Sequence, residues 1–217
     1  MPNRYKAIVD NPQGVKDVIL IVCPPSHDQQ GAKFAATMET IRAQFNLQAI
    51  WLADSLDRHN SGSVLKATQR GDDWLQRHGG LIQGIPVHRW AEVRKHPDFE
   101  MKYAEINRLY VSSLEARKAV DEICARQANI IAARVISKGQ TPDITDLQRR
   151  CVSYMLEEIA GLSIIRSHTD APEIYPGDHF ASPEVFHGLA RIPLKIPPVM
   201  KLTFSSKIQQ KTLRIPT

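Results

Sequence analysis

The 217-residue chain combines 42% hydrophobic with 24% charged residues, an ordinary balance for a globular protein that can bury a core without staples. No apolar run approaches the roughly 18–20 residues that span a bilayer, and the N-terminus carries no signal-type apolar region, so a cytoplasmic protein is expected. Lys and Arg number 28 against 23 Asp and Glu, a mildly basic excess that permits a polyanionic partner without demonstrating one.

In chain order, Val18–Cys23 predicts the first buried strand, because its apolar run is short, unbroken and stopped by Pro24-Pro25. Gly31–Phe45 carries Phe34, Met38, Ile41 and Phe45 at helical steps. Gln48–Ala53 predicts a second strand. Lys66–Gln76 predicts a charged helix ending at Gly79-Gly80, and Leu81–Val87 a third strand. A long helical stretch runs from Pro97 to Lys138 with one kink or break, closed by Gly139. Thr141-Pro142-Asp143 opens another helix with Thr141 as N-cap, ending near Ala160 at Gly161. Extended pieces are expected at Leu162–Arg166 and Glu173–Tyr175. The proline-rich tail from about Arg191 is expected to hold an edge strand at Met200–Ser205. No repeat or low-complexity tract divides the chain, so residues 1–217 predict one α/β domain, a mostly parallel sheet flanked by helices. Ligands of such sheets bind beyond the carboxyl ends of the strands. That places attention on Cys23.

The three cysteines lack metal-type spacing and predict reduced thiols, with Cys124 and Cys151 packing as small hydrophobes. Cys23 could be a packing thiol or a nucleophile activated by the following helix. Ser26 could compete as nucleophile or serve as a turn residue. The loop has no glycine-rich run, so it is not a phosphate cradle. Leu147, Cys151, Tyr154 and Glu158 share one helical face, where burial would raise the carboxyl pKa unless it is paired. Glu158 could equally lie at the stripe's edge and meet water. Tyr175-Pro176-Gly177-Asp178-His179 has the composition of a turn. Lys66, Arg70 and Arg77 make one helix face positive, which suits a phosphate backbone or simple solvation.

Taken in order, these features resemble the tRNA-dependent cyclodipeptide synthases over roughly Val18 to Phe180. The matching elements are Ile-Val-Cys23-Pro24-Pro25-Ser26 at the first strand end, a QAIWLAD strand, and a basic helix. His96-Pro97-Asp98-Phe99 before a long charged helix, Tyr154-Met-Leu-Glu-Glu158, and Tyr175-Pro176 complete the order. The family's nucleophilic serine stands here as Cys23, so either a thioester forms on Cys23 or Ser26 takes the role. The resemblance implies a Rossmann-like domain related to the catalytic domain of class I tyrosyl- and tryptophanyl-tRNA synthetases. It implies an aminoacyltransferase that makes a cyclic dipeptide (2,5-diketopiperazine) from two aminoacyl-tRNAs, with neither ATP nor metal. Cys23, Tyr154, Glu158 and Tyr175 would be catalytic, and Lys66, Arg70 and Arg77 would bind tRNA. The loop's divergence suggests the fungal arginine-using branch and arginyl-tRNA as a substrate. In that case Asp54, Glu157 and Asp178 are the carboxylates available to read a guanidinium, with Ser26 also at the substrate. A non-catalytic tRNA-binding relative and a nucleotide-binding α/β transferase are the alternatives. Neither a membrane nor DNA is expected as a partner.

Overall fold

The computed structural model describes residues 5–11, 14–26, 29–176 and 200–206. The elements run β1 (Tyr5–Val9), β2 (Asp17–Val22), α1 (Gly31–Gln44), β3 (Asn46–Leu52), a 3-10 turn (Ser55–Asp57), α2 (Arg58–Ser61) and α3 (Val64–Ile82). They continue with β4 (Val87–Arg89), α4 (Trp90–Arg94), α5 (Phe99–Ser112), α6 (Leu114–Ile136), α7 (Ile144–His168), β5 (Glu173–Pro176) and β6 (Met200–Ser206).

Six strands form one sheet in the order β1-β6-β5-β2-β3-β4. Every pairing is parallel except β1 with β6. The chain leaves β2 towards β3 and β4 on one side and returns to β5 on the other, so the strand order reverses between β2 and β5. The fold is α/β with a mostly parallel sheet and helices on both faces. β2 is apolar throughout because both of its faces are covered. Val18, Leu20 and Val22 pack with Phe34, Met38 and Ile41 of α1. Ile19 and Ile21 point the other way, into a core built with α4 to α7.

Several boundaries depart from expectation. α3 runs through Gly79-Gly80 to Ile82 because Ala67, Gly71, Trp74, His78 and Ile82 make a buried stripe that overrides glycine's weak helix propensity. The strand expected at 81–87 is therefore only Val87–Arg89. The long helix breaks at Ser113, whose backbone is extended and whose hydroxyl caps α6 by accepting from Ala116 N–H at 3.2 Å. Gly139, at φ +74°, ends the segment in the left-handed region that glycine favours. Asp143, not Thr141, caps α7 by accepting the Asp146 N–H at 3.0 Å.

α7 does not stop at Gly161; it continues to His168, so Leu162–Arg166 is helical rather than extended. Gly161 is there for packing. A Cβ on it would lie 2.3 Å from the Trp90 ring carbons Cη2 and Cζ2. β6 is an interior strand flanked by β5 and by β1, the latter not anticipated from its sequence. No helix among the described residues is long and apolar enough to cross a membrane.

Candidate active site

Cys23 follows the last residue of β2, and Tyr175 lies in β5, the parallel neighbour of β2. Both therefore sit at the carboxyl end of the sheet, at its switch point, where open α/β sheets hold ligands. α7 crosses the same face. Its Cys151, Tyr154 and Glu158 are buried along one stripe, so Glu158 does not lie at a wet edge. The Cys23 Sγ stands 3.8 Å from the Tyr154 hydroxyl oxygen.

Pro24 and Pro25 have no N–H, which leaves the Cys23 N–H to anchor the strand end. It donates to the Gln29 side-chain oxygen. The Gln29 Nε2 donates to Ile21 O at 3.3 Å, while Trp74 Nε1 of α3 donates to the Gln29 carbonyl at 2.9 Å. Gln29 is completely buried. Its sequence context gives no hint of this, because an amide next to a second glutamine carries no motif. Ser26 acts as a turn residue here: its N–H donates to Cys23 O at 2.9 Å and its carbonyl accepts Gln29 N–H at 3.1 Å.

The electrostatics define the resting protonation state. Burial pushes the Cys23 thiol up to about 12; the Tyr154 hydrogen bond and Arg70 oppose this, whereas Asp57 and Glu158 reinforce it. Of the two readings of Cys23, activation by the following helix finds no support, since α1 starts only at Gly31, beyond the Pro-Pro turn. A thiol so raised is protonated at pH 7. Burial likewise raises the Tyr154 phenol well above its usual range, with Cys23, Glu158 and Tyr175 adding to it. Tyr175 is raised by burial, then by Glu158, Cys23 and Glu173. Each of these groups feels the others. The site rests with a protonated thiol, two neutral phenols and a buried carboxyl group.

The neighbouring carboxylates have other employment. Glu157 receives both guanidinium nitrogens of Arg58, with Nη1 at 2.8 Å from Oε1, His59 Nε2 at 2.8 Å, and Trp90 Nε1 at 3.0 Å. Burial works to raise its pKa, but these donors prevail and hold it at about 2. Asp54 caps the 3-10 turn through Ser55 N–H at 2.7 Å and receives Arg89 Nε at 2.6 Å. Neither carboxylate is open to a substrate guanidinium as expected, because internal cations fill both. Asp178 lies outside the described residues, as does the tail between β5 and β6.

Lys66, Arg70 and Arg77 are all exposed on α3. Two of them also make internal contacts, Arg70 with the turn after β3 and Arg77 with the loop after β2. Arg70 Nη1 donates to the buried Asp57, and Arg77 Nη1 donates to Gln30 Oε1 at 2.8 Å, while the Gln30 amide donates to Pro24 O. Cys124 and Cys151 are fully buried free thiols. Among the described residues no group of three or more His, Cys, Asp or Glu side chains could hold a metal ion. A groove with a volume of about 590 Å³ is lined by Asp17, Ile19, Trp51, His88 and His168 among others, and includes none of Cys23, Tyr154, Glu158 and Tyr175.

No protein-family model matches the sequence, and comparison with curated proteins finds no match. Solved structures do match in fold. A CDPS from Fluoribacter dumoffii superposes with a TM-score of 0.74 at 20% identity, covering 93% of this chain and 99% of that one. A cyclodipeptide synthase from Candidatus Glomeribacter gigasporarum bound to Phe-tRNAPhe gives 0.62 at 17% identity, covering 93% and 92%. A Mycobacterium tuberculosis protein, described as demonstrating that cyclodipeptide synthetases are related to type I tRNA-synthetases, gives 0.57 at 9%, covering 94% of each chain. Over nearly its whole length, the chain has the fold of the cyclodipeptide synthases.

Proposed function

We propose that the protein is an aminoacyltransferase that joins two aminoacyl-tRNAs into a cyclic dipeptide. The observation that carries this reading is the Cys23 thiol, 3.8 Å from the Tyr154 hydroxyl at a sheet switch point shared with Glu158 and Tyr175. It gains support from the fold of a relative bound to Phe-tRNAPhe.

In the first step the Cys23 sulfur attacks the ester carbon of the first aminoacyl-tRNA. The S–C bond forms, the ester C–O bond breaks, and the thiol proton ends on the departing ribose oxygen. With so little thiolate at rest, the proton leaves during the attack rather than before it. Glu158, with the Tyr154 hydroxyl, binds the substrate's α-ammonium group. The positive charge brought in against Glu158 also removes one of the fields that hold the thiol protonated. The amine of the second aminoacyl-tRNA then attacks the thioester, forming the peptide bond and returning the thiol. The freed amine of the first residue closes on the remaining tRNA ester, with Tyr175 and Glu158 handling its proton. Two tRNAs and one diketopiperazine leave. Because the first tRNA leaves an acyl-enzyme before the second aminoacyl-tRNA reacts, the sequence of steps is ping-pong, and because the ester already carries the activation it calls for no ATP.

Lys66, Arg70 and Arg77 face the tRNA in this reading. An arginyl substrate would need a carboxylate other than Asp54 and Glu157, which hold internal partners. Trapping a radiolabelled aminoacyl group on the protein tests the covalent step. Label is expected on the wild type and on Ser26→Ala but not on Cys23→Ala; label kept by Cys23→Ala and lost by Ser26→Ala would reverse the assignment.

A further inference from the structure

Two adjacent glutamines grip the strand end that carries the nucleophile, and the steps above use neither. Gln29 is fully buried, and its amide bridges two points of one backbone: Oε1 accepts the Cys23 N–H, and Nε2 donates to Ile21 O at 3.3 Å. Gln30, half-buried, takes the other side: Nε2 donates to Pro24 O, and Oε1 accepts from Arg77 Nη1 at 2.8 Å. Each amide meets one donor and one acceptor, so each has a single workable orientation.

The backbone needs this help. The ladder of β2 with β5 ends at Leu20 and that with β3 at Val22, and Pro24 and Pro25 have no N–H with which to extend either. Gln29 supplies the partner that pairing no longer gives to the Cys23 N–H. Behind both glutamines stands α3, on which Trp74 and Arg77 are neighbours at i and i+3. Trp74 Nε1 donates to Gln29 O at 2.9 Å, and Trp74 is itself buried against Phe34.

We infer that Gln29 and Gln30 are positioning residues for the nucleophile, a two-sided clamp through which α3 holds the Cys23–Pro24 backbone and so aims the thiol. This rests on the proposed acyl-carrying role of Cys23. It gives α3 a second task beside tRNA docking, because its inner residue Trp74 and its outer residue Arg77 each hold one jaw.

The test uses the full chain. Gln29→Met keeps the length of the side chain and removes both hydrogen bonds of the amide. On charged tRNA it should lower kcat about tenfold or more and leave KM within about twofold, since a buried side chain does not meet tRNA. Iodoacetamide should label its Cys23 about threefold faster, because a released thiol is more accessible, while the buried Cys124 and Cys151 stay unlabelled. Slower turnover beside faster alkylation marks lost aim rather than lost reactivity. Gln29→Glu is the second variant. Its buried carboxyl group can donate and accept as the amide does while protonated, and loses the donor as it ionises. Its kcat relative to wild type should therefore approach one near about pH 5.5 and fall by about pH 8.5. Gln30→Met should act in the same directions as Gln29→Met, with smaller changes. An unchanged kcat, a rise in KM alone, Cys23 labelling that does not quicken, or no pH dependence in Gln29→Glu overturns the inference. So does labelling of Cys124 and Cys151 together with Cys23, which would make Gln29 a residue of the fold alone. Absence of cyclic dipeptide from the wild type, beside the expected labelling, would strike the proposed function and leave the clamp standing.

Discussion

Arg166 of α7 and Glu173 of β5 form an ion pair at 3.2 Å with both side chains almost wholly excluded from water. It locks the helix that carries Tyr154 and Glu158 to the strand that carries Tyr175. Removing one member of a buried pair strands the other charge, whereas replacing both with apolar groups of similar size can be neutral. Arg166→Met alone is expected to cost about 3–5 kcal/mol in urea unfolding. Arg166→Met combined with Glu173→Leu should recover most of it. Additive losses in the double variant would contradict this role for the pair.

Glu157 supplies a pH signature. Its carboxyl is held at about 2, against 4.5 for an ordinary glutamate, because Arg58, His59 and Trp90 favour the charged form over the cost of burial. A lowered folded-state pKa contributes stability that is fully present above the unfolded value and is lost as pH falls through the folded one. The loss should therefore run from about pH 4.5 down to about pH 2, amounting to about 3 kcal/mol. Glu157→Gln should flatten that part of the stability profile while lowering stability at neutral pH.

Trp90 and Gly161 are packed so closely that a methyl group has no room. Gly161→Ala should destabilise the fold by about 1–3 kcal/mol through overpacking, despite alanine's better helix propensity. Since Trp90 also donates to Glu157, its displacement should shift tryptophan fluorescence. A stabilised Gly161→Ala would refute the overpacking.

On the basic face, replacing Lys66 and Arg77 with Gln should raise KM for aminoacyl-tRNA. It should also reduce the log–log salt slope of binding by roughly 0.7–0.9 for each phosphate that is no longer neutralised. An unchanged salt slope would remove α3 from the tRNA interface.

The parts of this molecule legible from sequence are those set by local pattern. β2 reads correctly because a doubly covered strand must be apolar, and the α7 face reads correctly because Cys151, Tyr154 and Glu158 keep helical phase into the core. Gly79-Gly80 and Gly161 mislead for one reason: each lies in a helix held by tertiary packing, and Gly161 exists to admit an indole from another element. β1 and β6 pair Tyr5 with Ser206 across almost the whole chain, a partnership no local window contains. The same distance in sequence hides the partners of the site's carboxylates. Glu157 looks available until Arg58, almost a hundred residues earlier, is found against it. Gln29 and Asp57 gain their meaning only from Cys23, Trp74 and Arg70 folding onto them.

The central claim is tested by incubating the wild-type protein with total tRNA charged with amino acids and examining the small products by mass spectrometry. A new cyclic dipeptide is expected, present with wild type, absent with Cys23→Ala, and formed without added ATP once the tRNA is charged. Its mass would also name both amino acids and decide whether arginine is one of them. No diketopiperazine from the folded protein under any charging condition would contradict the claim, leaving a tRNA-binding protein or a different transferase on the same fold.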